Sequence, residues 1–301
     1  MSEDFLRYLD KRVLNKITRL DLKARHIVEG FVTGMHKSPY HGFSIEFAEH
    51  REYTPGDDIK HLDWKVYGRT DRLYIKEYEL DTNLRSYILL DTSESMNYQS
   101  GEISKLELGG FIAASLAYKI LHQQDSVSMV CFDKEVKQML PSSSSMGHMN
   151  ALLGTLNNMK AKEKTDLASV FHVLAERFRQ RGLVVIISDL FDDPDRTLKA
   201  LQHFRHKRHD VILFHVLDEY EITFPFQRMT LFDGLEDHPK LLIDPRALRK
   251  AYREEVENAC AKIRRGCTKM MIDYVQISTD QQLDVELVKY LATRLGTRAK
   301  R

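Results

Sequence analysis

Cysteine is scarce in this chain: its 301 residues include three, Cys131, Cys260 and Cys267. Three thiols at these spacings make neither a disulfide framework nor a metal-ligand pattern, and an odd number suits a reducing compartment. Cys131 lies inside a mostly apolar run, residues 127–132, where a buried inert thiol is expected. An excess of one charge is also missing, since 45 basic residues face 44 acidic ones and leave a formal net charge of +1. Bulk electrostatics therefore gives no reason to expect a nucleic-acid partner, although it leaves room for a local basic patch. No apolar run approaches the roughly 20 residues that span a bilayer. The opening Met1-Ser2-Glu3-Asp4 is acidic, where a secretory leader would be basic and then apolar. These features together predict a cytoplasmic protein with no membrane span. No Gly-rich phosphate loop of the Walker type occurs, so ATP hydrolysis would have to come from a partner. Internal repeats and low-complexity stretches are lacking as well.

What is present changes character along the chain. Residues 1 to about 35 carry Leu6, Leu9, Val13, Leu14, Ile17 and Leu20 at helical spacing. From about 36 to 85, Gly, Pro, Tyr and His punctuate short alternating segments, which predicts a small sheet or long hairpin. After Ser86 the rhythm is strand, helix, strand. Strands are expected at 87–91, 126–132, 183–187, 210–216 and 273–278. Helices are expected at 106–121, 147–158, 166–180, 195–207, 246–265 and 283–295. Residues 142–145 read as a polar loop, and 220–243 as a strand-rich excursion. Such alternation predicts an α/β fold with a doubly wound, mostly parallel sheet. It divides the chain into an N-terminal helix with a small β-rich subdomain, 1–85, and a larger domain, 86–301.

Open parallel sheets bind ligands at the carboxyl ends of their strands. Asp91-Thr-Ser93-Glu-Ser95 follows the first strand of the alternating region, Asp189 ends the strongest one, and Thr165 precedes a helix. Two carboxylates and three hydroxyls are hard oxygen donors of the kind magnesium prefers. Each piece alone has a plainer explanation. A strand-end acid is often a helix cap, Ser93 or Ser95 could cap the next helix, and short Ser/Asp strings arise by chance. Their joint placement on the loops of one sheet is the specific signal.

In that order, Asp91, Ser93, Ser95, Thr165 and Asp189 resemble the metal-ion-dependent adhesion site of von Willebrand factor A domains. The preceding segment narrows the resemblance. Tyr53-Thr-Pro-Gly-Asp-Asp-Ile-Lys-His-Leu-Asp-Trp64, then Gly68-Arg69, then Leu73-Tyr-Ile-Lys-Glu-Tyr-Glu79, is similar to the signature of the domain of unknown function 58 (DUF58) family. Gly68 departs from the Ala more often found there. The resemblance implies a von Willebrand factor A-like fold and a bound magnesium ion, with manganese or calcium as alternatives. It also implies a non-enzymatic interaction module working with a MoxR-type AAA+ ATPase, whose carboxylate could complete the metal site. A magnesium-dependent hydrolase or phosphatase using the same carboxylates is the alternative.

Pro55-Gly56 marks a turn, and Asp57-Asp58 suits a helix start. Trp64, the one tryptophan, is expected to anchor the small subdomain. Arg51, Asp58, Asp63 and Arg69 are expected to pair with one another, the alternative being a second metal site at Asp57, Asp58 and Asp63. The basic run 204–209 is expected to complement a helix end.

Overall fold

The computed structural model describes residues 45–54, 62–80, 85–159, 161, 166–232 and 240–281, with the backbone alone for 45–51 and 75–80. The helices expected at 1–35 and 283–295, the Pro55-Gly56 turn with Asp57 and Asp58, and Thr165 lie outside these residues. The chain divides into two compact units, Glu29–Asn83 and a larger one that takes up the chain again at Leu84.

In the smaller unit, β1 (Ile45–Glu52) pairs antiparallel with β2 (Tyr74–Leu80), with a bulge between Phe47 and Glu49. Between them runs a short helix, α1 (Trp64–Thr70). Asp63 starts it: its carboxylate accepts the amides of Lys65 and Val66 at 2.9 and 3.2 Å, satisfying two donors the helix leaves open. Asp71, at φ 50°, ends it in the left-handed conformation. Trp64 is 62% exposed and meets Tyr67 edge-on.

The larger unit is a six-stranded sheet in the order β10-β7-β6-β3-β4-β5. Its strands are β3 (Arg85–Asp91), β4 (Ser126–Phe132), β5 (Val136–Ser143), β6 (Leu183–Ser188), β7 (Asp210–Leu217) and β10 (Asp273–Ser278). All neighbours run parallel except β4 and β5. The four central strands β7, β6, β3 and β4 are buried almost throughout, which explains their unbroken apolar runs in the sequence.

Alternation along each strand sends side chains to two separate cores. Ile88, Leu90, Met129, Val185 and Ile187 face α2 (Lys105–His122) and α3 (His148–Asn157). Tyr87, Leu89, Val130, Val184 and Ile186 face α4 (Leu167–Arg177), α5 (Pro194–His206) and α7 (Pro245–Lys269). Helices thus cover both faces, as expected for a doubly wound sheet. α2 lies closest. A Cβ on its Gly109 would stand 2.9 Å from Leu90 Cδ1 and 3.2 Å from Ile187 Cγ2, so any larger residue there would have to push these buried side chains aside.

Two stretches differ from expectation. Residues 136–143 form an antiparallel edge strand, β5, where the sequence pointed only to a polar loop from Ser142. Its side chains are exposed or half-buried, so no apolar alternation betrays it, and Pro141 is tolerated because the strand lies at the edge. Residues 220–243 begin with a short helix, α6 (Glu219–Thr223), capped by Asp218, ahead of the hairpin strands β8 (Thr230–Phe232) and β9 (Leu241–Ile243). The basic run closes α5. Arg205 donates to the carbonyls of Met270 and His209, and His209 is buried with Nδ1 accepting the Gly182 amide. Among the described residues, no helix is long and apolar enough to cross a membrane.

Candidate metal centre

After β3 the chain passes to β4 on one side, and later returns to β6 on the other. The crevice between the carboxyl ends of β3 and β6 is therefore the switch point of the sheet, where a ligand finds helix and loop backbones diverging. Asp91 is the last residue of β3, and Asp189 directly follows β6.

The structure brings four of the five predicted residues to this point. Asp91, Ser93, Ser95 and Asp189 are all buried, at 1, 0, 3 and 5% exposure. One Asp91 oxygen accepts the Ser93 amide at 2.9 Å, which curls the loop back on itself, and the other accepts the Ser188 hydroxyl at 2.6 Å. The Ser93 and Ser95 hydroxyls stand 3.0 Å apart. Ser95 also hydrogen-bonds the Asp189 carboxylate, linking the two loops. Asp189 accepts the Phe191 amide at 3.3 Å, and Leu190 between them is held at φ 52°. Phe191 itself is 62% exposed at the rim. Thr165 lies outside the described residues; Asp166 beside it caps α4 by accepting the Ser169 amide.

Lys105, in the first turn of α2, escaped the sequence reading. Its side chain is 1% exposed, and its ammonium meets Asp189 at 2.7 Å and Glu221 of α6 at 2.6 Å. A cation here works against the helix dipole, so the carboxylates must outweigh both the dipole and dehydration. They do: burial alone would lower the Lys105 pKa, but Asp189 and Glu221 hold it above the usual lysine range. Glu221 uses its second oxygen to accept the Asp218 amide in the capping box of α6, and Asp218 in turn accepts the Ser100 amide and the Thr279 hydroxyl. His215, fully buried, reaches the Asp189 carbonyl at 2.9 Å through Nε2 and Tyr274 at 2.7 Å through Nδ1. The carbonyl can only accept, so Nε2 carries the proton and Nδ1 receives the tyrosine hydroxyl. Burial pushes the imidazole down to about 4, so it stays neutral.

The two aspartates are not equivalent. Burial would raise Asp189, but the Lys105 ammonium, by charge and hydrogen bond, more than offsets it and holds the carboxyl below its ordinary value. Burial and the charge of Asp189 push Asp91 up to about 7, against the hydrogen bonds from Ser188 and Ser93 that favour its anion. A cation between them would relieve this strain. Among the described residues the donor set fits a hard ion, with carboxylate and hydroxyl oxygens from Asp91, Asp189, Ser93 and Ser95. Among the described residues, no three His, Cys, Asp or Glu side chains form a metal cluster of their own.

Comparison with known proteins agrees on the family. The model of the protein of unknown function DUF58 matches residues 49–262, more than half of the chain. The chain belongs to the DUF58 family. It is similar to Uncharacterized protein Rv1480 of Mycobacterium tuberculosis and Uncharacterized protein Mb1516 of Mycobacterium bovis, each 24% identical over 95% of this chain and 90% of the relative. Among solved structures it is similar to the conserved hypothetical protein BatB from Bacteroides thetaiotaomicron, at 16% identity and TM-score 0.47, over 71% of this chain and 99% of that one. A second likeness is to the SpRpn10 VWA domain, at 11% identity and TM-score 0.39, over 69% and 94% of the two chains.

Proposed function

We propose that this DUF58 protein is a non-enzymatic, divalent-cation-dependent interaction module. Asp91, Ser93, Ser95 and Asp189, with Thr165 as the fifth residue of the pattern, would hold one magnesium ion, or manganese or calcium in its place. The observation that carries this reading is the burial of Asp91 and Asp189 side by side at the sheet's switch point, with the Ser93 and Ser95 hydroxyls beside them. Two dehydrated carboxylates repel each other, and that cost falls away when a divalent ion joins them.

Hydroxyl ligands add no charge, so two aspartates would leave the ion electrophilic enough to accept a carboxylate from another protein. Phe191, exposed next to Asp189, supplies apolar area at the same rim. The family resemblance extends the reading to a MoxR-type AAA+ ATPase as partner, in chaperone-like assembly or activation of other complexes, in the cytoplasm. The test is capture of that ATPase by the immobilised full chain, with magnesium and with a chelator, for wild type and Asp91→Ala. Magnesium-dependent capture lost in Asp91→Ala, with an unchanged circular dichroism spectrum, is expected. Capture indifferent to both chelator and substitution would overturn the proposal.

A further inference from the structure

The buried Lys105 ammonium touches an aspartate assigned to the cation, yet the metal pattern has no place for it. Its helix position disfavours a positive charge, its side chain is 1% exposed, and its ammonium meets two carboxylates at hydrogen-bonding distance and lies 5.9 Å from the centre of the Tyr98 ring. A group so costly to bury persists where its charge is used. Packing alone would be met by methionine, which fills a similar volume without dehydrating an ammonium.

The geometry points to Lys105 as a built-in counter-cation that sets the affinity of the Asp91–Asp189 site for a divalent ion. This inference rests on the cation reading above. The ammonium engages one Asp189 oxygen at 2.7 Å, and the Phe191 amide takes the other at 3.3 Å. An arriving ion must therefore share Asp189 with a positive charge and sit beside that charge in a poorly screened interior. Both effects oppose binding. Glu221 provides the other half of the arrangement. Because Glu221 holds the same ammonium at 2.6 Å, Lys105 can yield part of its contact with Asp189 and still keep one counter-ion. The result is a site preformed without metal and tuned to take the ion weakly and reversibly. Lys105 acts through Asp189, as a positioning residue.

The experiment is calorimetric titration of the full chain with manganese at fixed ionic strength, for wild type, Lys105→Met, the double variant Lys105→Met/Glu221→Gln, and Asp91→Asn. The double variant removes both members of the second pair, so it keeps the test open where Lys105→Met alone fails to fold. Manganese binding about ten-fold or more tighter in the lysine variants than in wild type is expected. Binding no tighter than wild type would overturn the role of Lys105 while leaving the cation site standing. Binding in the lysine variants but not in wild type would support the counter-cation role and overturn divalent binding by the native chain. Absence of binding in all four proteins, or binding unaltered by Asp91→Asn, would overturn both.

Discussion

The two ends of the parallel sheet both bury polar groups, but they settle them differently. At the amino ends of β3, β6 and β7, Tyr87 stacks on Phe178 at 4.0 Å, and His209 lies edge-on to both rings. The buried side chains here meet neutral partners: His209 accepts the Gly182 amide, and the Tyr87 hydroxyl donates to the Gln180 carbonyl, while the charges beside them, Arg181, Arg205 and Asp210, pair with one another where they are partly exposed. At the carboxyl ends the same sheet buries Asp91, Asp189, Lys105 and Asp218. Neutral closure needs nothing from outside. A charged end is the one an ion or a partner could further stabilise, and the proposed function places the cation there for that reason.

The largest expected effect comes from removing the charge that holds the carboxyl end together. Lys105→Met should cost about 3–5 kcal/mol in metal-free urea denaturation, because Asp189 and Glu221 are left buried without their ammonium. A loss under about 1 kcal/mol would mean that the end is already neutral and the contrast illusory. Next comes Asp91→Ala. At magnesium about 100-fold above its dissociation constant, wild type should gain about 2.7 kcal/mol by mass action, and the variant should gain none. Thermal melts with and without magnesium read this directly.

Midway along the sheet, Gly109→Ala should destabilise by roughly 1–3 kcal/mol, through its clash with Leu90 and Ile187. It should leave the magnesium-induced stabilisation intact, which separates packing from charge. The smallest effect belongs to the amino end. Burial lowers the His209 pKa below the ordinary histidine value. The unfolded chain therefore takes up a proton, at about pH 6.5 and below, that the folded chain resists, and stability falls as pH drops through that range. His209→Gln should flatten this acid slope between about pH 7.5 and about pH 5.5 in urea midpoints. An unchanged slope would assign the acid sensitivity elsewhere.

The sequence made the central sheet legible because β3, β4, β6 and β7 are buried on both faces, and full burial leaves an apolar run that nothing obscures. It hid β5, whose side chains face water. The candidate site was legible where acids stand at or just past strand ends, as Asp91 and Asp189 do. Lys105 was not, because a lysine near a helix start looks like any solvated charge until its burial is known. Glu221 was hidden for a related reason: it belongs to a one-turn helix within a stretch that reads as strands. A basic residue in the first turn of an otherwise apolar helix, where acids are favoured, was the one available clue.

Leu190 carries a consequence for timing. Its left-handed backbone, at φ 52°, is unfavourable for a side chain of its kind by about 1–2 kcal/mol, and it lies between the Asp189 carboxylate and the Phe191 amide. That conformational work is done once, when the chain folds. On the proposed cation reading, an arriving ion would meet a loop already bent to shape, and the backbone would have no such work left to do.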